Sequence, residues 1–471
     1  MVFLEPLRFS RNHKCQFPQR QLSQCRMCSQ LPLNFIMSNP FFFGDPIPPK
    51  LFVGRDKELR RIISRIITGQ STAIIGEPRS GKTSLLLYLA EPTLRQKHYD
   101  TYEKRLFFSF VFFRTLSDQF NQTQFWEHAL HPLYEQVIIP NPNTALAQAY
   151  QQCLRADFNV FTLVRLFKKM EQEGQCLVLI LDEFDVLLNH PILNCSEFFG
   201  SLRFLASCHD ALSLLIACRL SLSMLNTKTQ ALNPTGSPYF NIFREIILEP
   251  LADEAVKTLL NRAGNRFNKD DHHFITKVAG AHPYLLQVAA SALWETYEDG
   301  ESEPHQRYTL VGQQLYEDAK LTFDDTWRLW KPMTRMAVIT IALNQWNKPG
   351  LLHDMSGFKP ELRRLEKQGF VLKEKDYQQR WQQIWQRILR NNSSGYLIYP
   401  EVLLWWLADE LAHAARDEQS FEEWTRVQEL DGILNPEQKQ QLNQAGQSIA
   451  NSLVAASIFE FIKTAVIGFL G

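Results

Sequence analysis

Gly76-Glu77-Pro78-Arg79-Ser80-Gly81-Lys82-Thr83 has the form G-x-x-x-x-G-K-[ST], with Thr72-Ala73-Ile74-Ile75 before it and Ser84-Leu85-Leu86-Leu87-Tyr88-Leu89 after it. Strand, glycine loop and helix in that order spell a phosphate-binding loop. The glycines let backbone N–H groups wrap a polyphosphate at the helix N-terminus; Lys82 brings a charge to the β and γ phosphates, and the Thr83 hydroxyl serves Mg²⁺. The predicted nucleotide-binding set is therefore Gly76, Glu77, Pro78, Arg79, Ser80, Gly81, Lys82, Thr83 and Ser84. The competing reading is a surface turn with an incidental lysine, and the flanking strand and helix speak against it.

Leu177-Val178-Leu179-Ile180-Leu181 runs apolar without alternation and ends in Asp182-Glu183. Such a run marks a strand buried on both faces of a parallel sheet, and ligand chemistry in these sheets sits at the carboxyl ends of strands. Asp182 is thereby placed to hold the Mg²⁺ of ATP and Glu183 to orient or deprotonate an attacking water. The plainer alternative is that both acids merely open a solvated turn or cap the next helix.

Strands are expected at 71–75, 106–113, 177–181, 213–218 and 245–248, separated by helical stretches that include 57–67 with Leu59, Ile62, Ile63, Ile66 and Ile67 at helical spacing. This alternation predicts an α/β fold: a parallel sheet with helices on both faces. Two helical stretches, 251–263 and 271–295, follow as a lid.

Lys+Arg and Asp+Glu both number 50, giving a formal net charge of +0. A dominant nucleic-acid partner usually calls for a basic surface, so the balance disfavours DNA. The eight cysteines lack the spacing of a secreted scaffold and read as reduced thiols of a cytoplasmic protein. Cys25-x-x-Cys28 with Cys15 falls one ligand short of a zinc site. Residues 1–36 hold five basic residues against the single acid Glu5 and have no secretory core. Met37-Ser38-Asn39-Pro40 is the expected true start, with an organelle transit peptide as the alternative.

Asn39-Pro40-Phe41-Phe42, Phe52-Val53-Gly54-Arg55-Asp56-Lys57-Glu58-Leu59, the loop with Ser84-Leu85-Leu86, Asp182-Glu183-Phe184 and Gly280-Ala281-His282-Pro283-Tyr284-Leu285 occur in this order. Over roughly residues 37–410 the chain resembles the STAND class of signalling ATPases, relatives of the AAA+ proteins, and is most similar to their bacterial and archaeal AAA-like members. The resemblance implies that Phe52 and Val53 lie beside adenine, that Pro283 closes the same pocket from the lid, and that Arg219 senses the γ-phosphate. Read physically, Phe52 and Val53 could equally pack the first helix on the sheet, and Arg219 could be a solvated strand-end arginine.

The same resemblance implies a winged helix after the lid: helices at 333–343 and 360–369 and wing strands at 370–372 and 396–398, with an insertion at 373–395 carrying Trp381 and Trp385. Glu361 and Glu366 among Lys359, Arg363, Arg364 and Lys367 make a poor face for duplex phosphates. The family instead folds this domain back on the nucleotide module, often through a phosphate-sensing histidine; here Tyr399-Pro400-Glu401-Val402-Leu403 stands in that place. Asn435-Pro436 predicts a helix start. Residues 449–470 are long and apolar enough to touch a membrane, but Glu460 and Lys463 favour a packed or self-associating helix.

The expected organisation is a leader at 1–36, nucleotide-binding module at 37–250, lid at 251–320, winged helix at 321–416 and C-terminal helical tail at 417–471. The expected activity is slow Mg-ATP hydrolysis, with catalytic residues Lys82, Glu183 and Arg219, metal ligands Thr83 and Asp182, ATP or ADP as ligand, a homo-oligomer in the ATP state and an effector protein as partner. The alternatives are a DNA-binding initiator or transposition ATPase, and a scaffold with structural nucleotide.

Overall fold

A computed structural model describes residues 38–44, 46–346, 355–375, 395–455, 462–464 and 466. Five strands, β1 (Thr72–Ile75), β2 (Leu106–Phe112), β3 (Cys176–Asp182), β4 (Leu212–Cys218) and β5 (Arg244–Ile247), form one parallel sheet in the order β2-β3-β4-β1-β5. Each lies within one residue of its expected bounds. The chain leaves β1 in the interior for β2 at the far edge, steps inward through β3 and β4, and crosses β1 to reach β5.

Burial on both faces explains the unalternating strands. Successive β3 residues serve opposite layers: Leu177, Leu179 and Leu181 join one core cluster, Val178 and Ile180 the other. Helices α1 (Asp56–Ile67), α2 (Lys82–Ala90) and α3 (Pro92–Tyr99) cover the second face with Ile62, Leu85 and Tyr99. The first face is covered by α4 (Gln122–Leu133), α5 (Ala145–Arg155), α6 (Val160–Gln172), α7 (Ser196–Cys208) and α8 (Leu222–Thr229).

A third cluster gathers the described helices and hairpin that follow the sheet. It joins α9 (Asp253–Leu260), α10 (Lys269–Ala279), α11 (Pro283–Glu298), α12 (Pro304–Leu329), α13 (Pro332–Gln345), α14 (Lys359–Gln368), the antiparallel hairpin β6 (Val371–Lys373) and β7 (Tyr396–Ile398), and the helices from Glu401 onward. The lid boundary expected at 320/321 falls inside α12. The helix expected over 271–295 is two helices, because Gly280 adopts φ 65°, ψ −147°, a region open essentially to glycine alone, and Pro283 starts the next helix.

Asn435 caps its helix as expected: its side chain accepts from Gln438 N at 2.8 Å. Beyond it Ile449, Ile462 and Val466 are buried in the same third cluster. Among the described residues, no helix is long and apolar enough to cross a membrane. Cys15, Cys25, Cys28, Trp381, Trp385 and Glu460 lie outside the described residues.

A Cβ at Gly280 would meet Tyr399 and Pro400 at 3.2 Å. Gly280→Ala is therefore expected to destabilise the fold by about 1–3 kcal/mol, read from denaturant midpoints, through forced backbone strain and this contact.

Candidate nucleotide-binding site

The glycine loop leaves the carboxyl end of β1 and feeds α2. Gly76 N donates to Cys218 O at 3.2 Å, extending the β1–β4 ladder by one residue before the turn. A Cβ on Gly76 would meet Ser80 Oγ at 2.5 Å and Leu248 Cβ at 3.3 Å, so a larger residue there would have to displace the Ser80 side chain where the loop folds on itself. Gly81 then takes φ 90° as the residue before the first turn of α2. The free N–H groups and the dipole of that turn face the loop's concavity.

Lys82 Nζ donates to the carbonyls of Gly76 and Glu77 at 2.8 and 2.9 Å. Burial pulls its ammonium below the ordinary lysine range, while Glu77, Asp182 and Asp185 pull it back up. Thr83 Oγ1 donates to Asp182 Oδ2 at 2.6 Å, and Asp182 Oδ1 accepts Glu183 N at 2.9 Å. The hydroxyl and carboxylate expected to share a cation thus meet, although β4 lies between β3, which ends in Asp182, and β1, which leads into the loop.

Glu183 follows in the left-handed region (φ 53°), and its Oε2 lies 3.0 Å from Arg114 Nε at the end of β2. Arg219 stands at the carboxyl end of β4, where its backbone N and its Nε donate to the two oxygens of buried Asp185 at 3.2 and 2.8 Å. All these groups border one cavity of about 450 Å³. Pro78, Arg79, Gly81, Lys82, Thr83 and Ser84 form its floor; Arg114, Asp182, Glu183, Asp185 and Arg219 its polar wall; Pro283, Tyr284, Gln287 and Leu321, Thr322 and Asp325 of α12 its far side.

The segment before the sheet completes the wall with Phe42, Phe43, Pro46 and Ile47. Asn39 fastens it to α11 through Ser291 Oγ at 2.8 Å, Phe42 N donates to Gln287 Oε1 at 3.2 Å, and Ile47 N to Ser84 Oγ at 3.1 Å. Arg79 lies over the Tyr284 ring at 4.4 Å. Pro283 borders the cavity, whereas Phe52 and Val53 do not: Phe52 stacks on Tyr88 at 4.5 Å, and Val53 packs against the third cluster. The aromatic residues at the cavity are instead Phe42, Phe43 and Tyr284.

Sequence reasoning missed Arg114, Asp185, Gln287, Leu321 and Asp325. The carboxyl-end rule that selected Asp182 would have selected Arg114 as well, and Asp185 lies one step beyond the acidic pair. Nothing local marks Leu321 or Asp325, which reach the site by tertiary packing of α12.

A family model described as an AAA-like domain matches residues 48–302. The chain belongs to this AAA-like family. Solved structures of similar fold include the Walker-type ATPase of Pyrococcus abyssi (14% identity, 76% of this chain and 96% of that one, TM-score 0.45). The ADP form of the Aeropyrum pernix ORC2 protein is also similar (16% identity, 70% and 90%, TM-score 0.39). So is a STAND protein with a tetratricopeptide-repeat sensor from Pyrococcus horikoshii (14% identity, 91% and 54%, TM-score 0.33). No curated protein matches the chain.

His282 sits behind the loop, where burial lowers its imidazole from 6.5 to about 4, with the Pro78 backbone acting the other way. Between these values the unfolded chain binds a proton that the folded chain refuses, so stability falls as pH drops. Relative to His282→Asn, the parent is expected to lose up to about 3 kcal/mol from pH 6.5 to 4, measured by chemical unfolding at each pH.

Proposed function

We propose that this protein is a cytoplasmic ATP-dependent molecular switch that binds Mg-ATP, hydrolyses it slowly and couples the nucleotide state to homo-oligomeric assembly and to an effector protein. The observation that carries the reading is the 2.6 Å contact between Thr83 and Asp182, since a loop hydroxyl and a strand-end carboxylate meeting beside a helix N-terminus is the donor set that Mg²⁺ on a nucleotide requires. Bound there, Mg²⁺ would neutralise charge on the β and γ phosphates.

Lys82, now on loop carbonyls, has a side chain able to turn to those phosphates. Glu183 is the general base, and Arg114 holds its carboxylate until a water is in place. Arg219 is the γ-phosphate sensor, aimed by Asp185. Phe42, Phe43 and Ile47 offer an apolar seat for the base. A ligand in this cavity touches Phe42, Phe43 and Ile47, the loop, the lid at Pro283 and α12 together, which supports a switch over a plain hydrolase.

We propose the winged-helix and tail boundaries as above, with the region after α12 acting on the nucleotide module and not on DNA. Leu362 and Leu365 of α14 are buried, and Glu366 is paired with Lys373 at 2.8 Å, which supports a packed role for that helix.

In a folded Lys82→Ala protein, ATP affinity measured by calorimetric titration is expected to collapse; unchanged affinity would overturn the loop assignment. Glu183→Gln is expected to keep ATP binding and lower phosphate release by about 10²-fold or more. Turnover at the parent rate would remove Glu183 from the mechanism.

A further inference from the structure

A loop that binds anions contains, in this chain, a buried carboxylate. Glu77 is 5% exposed, and phosphates held by the loop would place more negative charge beside it. Within the loop the compensating cation is Lys82, whose Nζ is turned onto the Gly76 and Glu77 carbonyls. The remaining compensation comes from far along the chain. Arg364 Nη2 of α14 lies 4.0 Å from Glu77 Oε1, and Gln368 Nε2 of the same helix donates a hydrogen bond to that oxygen. Glu77 Oε2 has no partner among the described residues. Burial raises the Glu77 carboxyl above its ordinary value; Arg364, Lys82, the Gln368 hydrogen bond and Arg219 act against it.

The seat of α14 shows why these two side chains are offered to the loop. Leu362 and Leu365 anchor an adjoining face of the helix in the third cluster. Gly369 ends the helix at φ 81°, and a Cβ there would meet Pro250 Cγ at 2.2 Å, so the helix end abuts the segment leaving β5. Glu366 is occupied by Lys373, which keeps a second acid away from Glu77.

We propose that Arg364 and Gln368 are positioning residues of the phosphate loop, which by holding Glu77 set the loop's affinity for a nucleotide polyphosphate and let bound nucleotide hold α14 in place. The inference rests on the ATP-binding reading above and adds its regulation. Linkage makes the effect reciprocal: whatever the docked helix adds to nucleotide affinity, nucleotide adds to docking. A partner that draws α14 away would leave Glu77 without its counter-charge and weaken phosphate binding, so release of the C-terminal region and release of nucleotide are one equilibrium.

The test is a double-mutant cycle on the full chain, with Mg-ATP affinity by titration and folding checked by melting temperature. Arg364→Met is expected to weaken ATP binding about tenfold, within the range typical of coupled sites, and Arg364→Lys to restore most of it. In a Glu77→Gln background the same Arg364→Met change is expected to alter affinity less than about twofold, because the charge it served is gone. Should Arg364→Met fail to fold, Gln368→Leu replaces it in the same cycle with the same pattern expected. An equal loss in both backgrounds would mean that α14 acts only as packing, and no loss in either would remove it from the site; each overturns the proposal. If the parent binds ATP and Lys82→Ala abolishes binding while Arg364→Met is neutral, only this inference fails. If the folded parent binds no ATP, the functional reading fails with it.

Discussion

The contact between Thr83 and Asp182 is the constraint on which the rest depends. Its two residues are 99 positions apart, one at the start of the helix that follows β1 and the other at the end of β3, and β4 lies between those two strands. It forms only when Ile75 is opposite Cys218 and Leu181 opposite Ile216, so that the three carboxyl ends share one edge. A parallel sheet holds such a register only if both faces are covered, and the two clusters of apolar side chains that flank β3 do that. Core and site are therefore one requirement: the residues that bury β3 are those that bring Asp182 to the loop.

Within the cavity, opposite charges are matched in pairs of unequal firmness. Arg114 and Glu183 are 70% and 37% exposed along their side chains, and such a pair contributes little stability, so Glu183 can exchange Arg114 for a water at small cost. Asp185 is only 5% exposed, and Arg219 reaches it through both backbone and side chain. Taking that arginine away would strand a buried carboxylate, which is far more expensive. Glu183 is thus loosely held and Arg219 firmly held, which suits the roles of base and sensor proposed for them.

Local chemistry explains what could be read from the sequence. The interior strands were legible because their largely apolar runs leave few alternatives, and the loop because its glycines and lysine have one common use. Gly280 was readable in principle as a break, yet the apolar spacing across 271–295 continues on both sides of it and suggests one helix. Phe52 and Val53 show the limit of resemblance: both are apolar and close to the loop in sequence, but Tyr88 captures Phe52, and Phe42 and Phe43 stand at the cavity in their stead. Leu321 and Asp325 were invisible, since nothing in a long amphipathic helix tells which turn will pass the mouth of a site hundreds of residues upstream.

That helix is the element that joins the cavity to the third cluster. α12 has 26 residues, about 39 Å of continuous helix. Leu321, Thr322 and Asp325 border the cavity, while Val311, Leu315, Phe323 and Trp327 of the same rod lie in the third cluster. Near its start, Gly312 faces Ile462 so closely that a Cβ would come within 2.7 Å of that side chain. Displacement of the Leu321 turn cannot be absorbed by loop motion there, because close-packed side chains fill that stretch and dense cores shift between arrangements more readily than they deform. A rod with one segment at the cavity and another under Ile462 makes the cavity and the C-terminal segment parts of a single packing problem.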